Sequence, residues 1–227
     1  MRTSWKAAAA MALALAAAAR APASGAGEKS PIGARGVIEY LEGEVLLDGT
    51  GAVIGQEVLP GALIETAKES YCEVVFAGRN IFRIEPLSVA RLEIDTNRSI
   101  ELRQGAVAAV FQKLQRIGDG RGDRFRLYTP TAVAGVRGTA FYIRVEDRDN
   151  TYICTCNGST RLADAAESFR RSVTSDRHKA LRFSRSGDRI VAREAPLLYH
   201  DNSTMDTLAA RIGSRIHWGE QDHGAGY

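Results

Sequence analysis

Several features that would name a chemistry outright are missing from this sequence. There is no Cys-x-x-Cys pair and no haem-attachment motif, so the usual thiol-redox and c-type haem signatures are excluded. No nucleophile-elbow motif is present, and no carboxylate pair stands apart from basic residues, which leaves a serine hydrolase or a glycosidase without support. Repeats of 20–50 residues, the sign of a solenoid or propeller, are absent. The longest apolar run, Ala7 to Ala19, has 13 residues and is mostly alanine, short of the roughly 20 needed to cross a bilayer. No cysteine follows that run, so nothing points to a lipid anchor.

An excess of charge is lacking too, once the first residues are set aside. Met1 to Lys6 is a basic start, Ala7 to Ala19 an apolar middle, and Ala21-Pro22-Ala23 a small-x-small cleavage pattern. That order is an export leader over residues 1–23, with Ser24 opening the mature chain. The leader contains Arg2, Lys6 and Arg20 and no acid, so the 30 Lys+Arg and 27 Asp+Glu of the whole chain become 27 of each. A balanced chain offers nucleic acid no concentrated basic surface, and no nucleic-acid partner is expected. The expected location is periplasmic or secreted, with no stable membrane span if the leader is cleaved. A leader that stays attached makes the chain a membrane-anchored regulator, the alternative reading.

What remains is punctuated like an all-β protein. Residues 24–35 are small and polar and read as a flexible linker. From Gly36, short runs such as Val37–Leu41, Glu44–Leu47, Ala62–Glu65, Tyr71–Phe76, Ile81–Ile84, Val89–Ile94, Ser99–Arg103 and Ala106–Gln112 are cut by Gly, Pro, Asn and Asp. Within Tyr71–Phe76 the alternation puts Cys72 on the inward face with Val74 and Phe76. Gly118 to Asp123 reads as a hairpin tip, since the fixed acids of a calcium loop are missing. Past residue 163 the pattern predicts a C-terminal extension, 164–227. It contains a short helix over Ala163–Ser172, a hairpin around Arg185-Ser186-Gly187-Asp188, and an amphipathic helix. In that helix Asn202-Ser203-Thr204 caps Met205, Leu208, Ala209 and Ile212 before Gly213.

The stretch Thr129 to Phe141 joins a turn, small residues and an alternating strand. Pro130 suits a strand entrance or a bulge. Ala132, Ala134, Gly135 and Gly138 permit close backbone approach, and Phe141, Ile143 and Val145 alternate with Tyr142, Arg144 and Glu146. Arg137 needs a carboxylate, a carbonyl or a ligand anion as partner in such apolar company.

Thr129, Pro130, Gly135, Val136, Arg137, Gly138, Thr139 and Phe141 together resemble the signature of the FecR-type domain, named after periplasmic regulators of ferric-citrate uptake. Upstream, Gly61 to Thr66, Ser70 to Phe76, Pro86-Leu87-Ser88 and Leu102 to Val107 follow the order of that family, and Gly158 to Leu162 is similar to its closing hairpin. The resemblance covers residues 36–163. It implies a compact β domain of many short strands, followed here by the mixed extension. It also implies a regulator that acts on a sigma factor inside the cell and contacts a receptor outside it. The sequence shows neither the cytoplasmic segment nor the span of that pattern, so the part carried over is an exported docking domain.

Cysteine is scarce and odd in number: Cys72, Cys154 and Cys156. On a strand, Cys154 and Cys156 point to one face, with Cα atoms roughly 6.5–7 Å apart, at the edge of disulfide reach. Three readings stand: a disulfide, including one from Cys72 to either partner, free thiols, or half of a tetrahedral zinc or copper site completed by His178 and His200. His200-Asp201 near Ser203 holds triad residue types without triad spacing.

The leading expectation is a non-catalytic exported module that binds a protein or envelope component and needs no cofactor. A metal- or redox-responsive protein using Cys154 and Cys156 is the alternative, and a small hydrolase the third.

Overall fold

Alternation of buried and more exposed side chains along the strands is what builds this fold. The computed structural model describes residues 35–77, 80–94, 98–112, 125–136 and 138–220. The expected leader and linker up to residue 34, Gly118 to Asp123 and Arg137 lie outside them. The described residues form sixteen strands and one helix. The first eight strands are β1 (Gly36–Glu42), β2 (Val45–Leu47), β3 (Thr50–Gly51), β4 (Glu57–Val58), β5 (Ala62–Thr66), β6 (Tyr71–Phe76), β7 (Asn80–Ile84) and β8 (Val89–Glu93). Next come β9 (Ser99–Phe111), β10 (Phe125–Tyr128), β11 (Ala132–Val136), β12 (Ala140–Asp147) and β13 (Asn150–Asp164). The chain closes with β14 (Arg170–Ser175), β15 (Lys179–Ser186), β16 (Arg189–Ala195) and α1 (Asn202–Arg211). The architecture is all-β with a hairpin and one amphipathic helix at its C-terminal end.

Two sheets share two long strands. One runs β16-β15-β13-β12-β9-β7-β6-β1-β4. The other runs β14-β13-β11-β10-β9-β8-β5-β2-β3, and β9 with β10 is its parallel pair. β9 passes from the second sheet to the first at Gly105, and β13 from the first to the second at Gly158, both at positive φ. Neither glycine is replaceable by geometry. A Cβ on Gly105 would lie 2.7 Å from the Leu87 carbonyl oxygen, and one on Gly158 would lie 2.9 Å from that of Gly138.

Between the sheets lies an aliphatic and aromatic core. Phe111 packs edge-on against Phe76, Phe125 and Phe141, at 4.7–5.4 Å between ring centroids. Such pairs add to the burial energy of their rings. Cys72 is buried in this layer, facing inward as its alternation required. On the outer face of the first sheet a second layer forms from Ala106, Ala108, Tyr142, Tyr152, Cys154 and Cys156, and α1 lays Met205, Leu208 and Ala209 on it. The alanines of β9 leave room for a helix to approach.

The signature stretch stitches the sheets together. Thr129 Oγ1 both accepts from Ala132 N and donates to Ala132 O, at 2.9 and 3.0 Å, so Pro130 sits in the turn that opens β11. Pro130 O accepts from Arg185 at 3.0 Å. Thr139 Oγ1 donates to Ser159 O and accepts from Ser159 N, clamping the bend of β13. Gly135 and Val136 pair with Arg161 and Thr160, and Phe141 is fully buried.

The expected helix over Ala163–Ser172 is instead the end of β13, a turn and the start of β14. Asp164 accepts from the Ser168 hydroxyl and from Phe169 N, which closes the turn too tightly for helix. Phe169 then packs on Phe183 in the main core, and Arg170–Ser175 pairs along β13.

Candidate functional site

The outer layer contains the densest grouping of reactive side chains among the described residues. Its frame is the part of β13 before the bend at Gly158, where residues at even positions turn away from the main core. Tyr152, Cys154 and Cys156 therefore share one face, and both cysteines are fully buried. Pairing of β13 with β15 sets Cys154 opposite Ala180 and Thr155 opposite Lys179, which brings the preceding turn, with His178, over the sulfurs. The His178 N–H donates to Cys156 O at 2.9 Å, and His178 itself is held at φ 40°. A non-glycine residue in the left-handed region is costly and persists only where its surroundings fix it.

His200 arrives from the other side. The Tyr152 hydroxyl donates to Pro196 O at 3.2 Å and accepts from Leu198 N at 3.1 Å, tying residues 196–198 to β13. His200 then stacks on Tyr142, with ring centroids 4.4 Å apart and planes at 9°. His178 stacks on Trp218 at 5.0 Å.

The four side chains meet. Cys154 Sγ is 3.6 Å from His178 Nδ1, Cys156 Sγ is 3.2 Å from His200 Nε2, and the sulfurs are 3.8 Å apart. All four donor atoms lie within 4.8 Å of one another. The far nitrogen of each ring is already engaged. His178 Nε2 donates to Asn202 Oδ1 at 2.7 Å, and His200 Nδ1 donates to Leu198 O at 2.9 Å. In the neutral rings this leaves His178 Nδ1 and His200 Nε2 with lone pairs aimed at the sulfurs.

Electrostatics separates the two thiols. Hydrogen bonding with Cys156, then with His178 and His200, brings the Cys154 thiol down to about 4 against the opposing effect of burial. Burial pushes the Cys156 thiol well up. Burial acts to lower His178, but its hydrogen bonds to Cys154 and Asn202 prevail and raise it. Burial takes the Tyr142 phenol up to about 12.

None of the three cysteines forms a disulfide, which sets that reading aside. Cys72 lies in the inter-sheet core while the other two lie in the outer layer, and 3.8 Å between Cys154 and Cys156 is far beyond a bond of about 2.05 Å. The hydrolase reading loses its geometry as well. Asp201 accepts from the Thr204 N–H and hydroxyl as the α1 cap, while His200 turns to Leu198. Capping by Asp201 also corrects the expectation that Asn202-Ser203-Thr204 does this work, and it frees Asn202 to orient His178. That role of Asn202 and the stacking by Tyr142 and Trp218 have no signal in the sequence beyond the place of Tyr142 on β12 and of Asn202 at the start of α1, and Trp218 lies past the helix.

Residues 62–160 match the family described as FecR protein, a stretch that runs from β5 into the bend of β13. Two crystal structures of a candidate anti-sigma factor from Parabacteroides distasonis ATCC 8503 align with this chain. Their identities are 12% and 11%, their TM-scores 0.47 and 0.46, and each alignment covers 58% of this chain and 59% of that one. The chain thus spans about three fifths of the length of those structures. No curated protein matches the sequence.

Proposed function

On the premise that this chain carries a FecR-type domain, we propose that it is an exported, non-catalytic module of envelope signalling that works by binding a protein partner. The observation that carries the reading is the FecR match over residues 62–160, which falls on strands of both sheets. Export is supported by the basic, apolar and small-residue order of residues 1–23. No helix among the described residues is long and apolar enough to cross a membrane.

Strand β16 supplies the means of docking. It ends the first sheet and, among the described residues, pairs with β15 alone, so its outer row of backbone donors and acceptors can take an extended segment of a partner. Val191 stands exposed on it among Arg189, Arg193 and Glu194. Charges on an edge strand discourage self-pairing and leave recognition to a partner with matching side chains.

A photo-crosslinking residue at Val191, in the exported protein within intact cells, tests the reading. One discrete protein adduct is expected from Val191 and none from Lys68, in an exposed turn away from this edge. Equal labelling from both positions, or none from Val191, would refute docking at β16. Purification of the chain from the cytosol with residues 1–23 still attached would refute export.

A further inference from the structure

We propose that Cys154, Cys156, His178 and His200 bind one zinc ion, which fastens the C-terminal segment to the first sheet. Nothing in the FecR resemblance assigns such a site; the positions and chemistry of the four donors do. Tetrahedral zinc, with bonds of about 2.3 Å to sulfur and about 2.0–2.1 Å to nitrogen, sets sulfurs about 3.8 Å apart and a sulfur and a nitrogen about 3.5 Å apart. The protein holds its sulfurs at 3.8 Å and its two sulfur–nitrogen neighbours at 3.6 and 3.2 Å.

Three further observations favour a metal over a chance cluster. Both imidazoles are locked through their other nitrogen, His178 by Asn202 and His200 by Leu198 O, which is how ligating histidines are oriented. Both thiols are fully buried, so the sulfurs are shielded from oxidants in an exported protein. His178 is held in the left-handed backbone region, where its ring reaches Cys154. Two sulfurs and two nitrogens in a tetrahedron select zinc among the common divalent ions. Four protein donors leave no open position for substrate, so the site is structural.

The consequence follows from where the donors sit. Cys154 and Cys156 are on β13, His178 is in the turn before β15, and His200 immediately precedes the α1 cap. One ion therefore ties the sheet, the hairpin and the helix at a single point.

The test uses the full exported chain, purified in reductant and stripped of metal. Titration with zinc against a chromophoric chelator, native mass spectrometry and cobalt(II) absorption are read together. The expected result is one zinc per chain and a cobalt complex with intense tetrahedral d–d bands and a thiolate-to-cobalt charge-transfer band. Cys154→Ser and His200→Gln are expected to weaken zinc binding at least 100-fold, and Cys72→Ser to leave it unchanged. Absence of zinc from the folded wild-type protein, octahedral cobalt without the charge-transfer band, or equal affinity in His200→Gln would overturn the proposal. If Cys154→Ser fails to fold, the wild-type cobalt spectrum and His200→Gln, whose side chain is only half-buried, still decide it.

Discussion

Strand β9 shows two ways of burying the same backbone. Its inner face carries Val107, Ala109 and Phe111 into an aromatic and aliphatic core between the sheets. Its outer face carries Ala106, Ala108 and Val110, side chains too small to fill a layer by themselves. The inner core closes on itself because two sheets bent at Gly105 and Gly158 supply large side chains from both sides. The outer layer depends on a cover brought from residues 196–219, and polar contacts hold that cover in place. Glu73, fully buried, pairs with Arg83 at 2.6 Å and lies 3.2 Å from Arg211 at the end of α1. Arg211 also lies over the Tyr40 ring at 4.9 Å. Asn157 donates to His217 O at 2.8 Å, and the Trp218 indole donates to Asp206 at 3.0 Å. Shape holds the inner layer, whereas the outer one relies on a few directional contacts, which are easier to undo singly.

Substitutions on the two sides should separate these regimes. Phe82→Ala, in the inner core, is expected to cost about 3–5 kcal/mol, because the closed sandwich cannot collapse into the space left. Chemical denaturation would show it as a lower midpoint for the whole protein. Leu208→Ala, on the helix over the alanine face, is expected to cost about 2 kcal/mol, the low end for a buried leucine, because α1 can shift toward the sheet. A cost equal to that of Phe82→Ala would mean that the outer layer is as rigid as the inner one.

Asp201→Ala should cost about 1 kcal/mol through loss of the helix cap. Its hydrogen bonds from the Thr204 N–H and hydroxyl hold the Asp201 carboxyl below its ordinary value. The contribution is therefore fully present above the unfolded value of about 4 and disappears as pH falls through the lower, folded value. The wild type and Asp201→Ala should accordingly converge in stability in acid. A difference that persists there would assign the effect to packing.

Much of the inner layer was legible because alternation is a local signal. Phe141, Ile143 and Val145 on one side, and Cys72 with Val74 and Phe76, can be read two residues at a time. The same rule places Cys154 and Cys156 on one face of β13. The meeting of His178 and His200 with them depends on the register of β15 against β13 and on the Tyr152 bridge to Pro196 and Leu198, neither of which is local. The reading of Ala163–Ser172 as helix failed for a related reason. Ala165, Ala166 and Phe169 have helical spacing, but a turn closed by the Asp164 carboxylate and the pull of Phe169 toward Phe183 override it. Asn202 likewise looks like a cap, and only the structure shows that Asp201 takes that place. Tyr142, expected to alternate outward on a half-buried strand, is covered by His200 and so is buried.

Hydrogen exchange of the zinc-loaded and zinc-free chain tests this contrast most directly. Removing zinc is expected to deprotect the amides of residues 176–182 and 196–212, while the strands bearing Phe76, Phe82, Phe111 and Phe141 exchange unchanged. Identical exchange in both forms, or deprotection spread evenly over both layers, would contradict it.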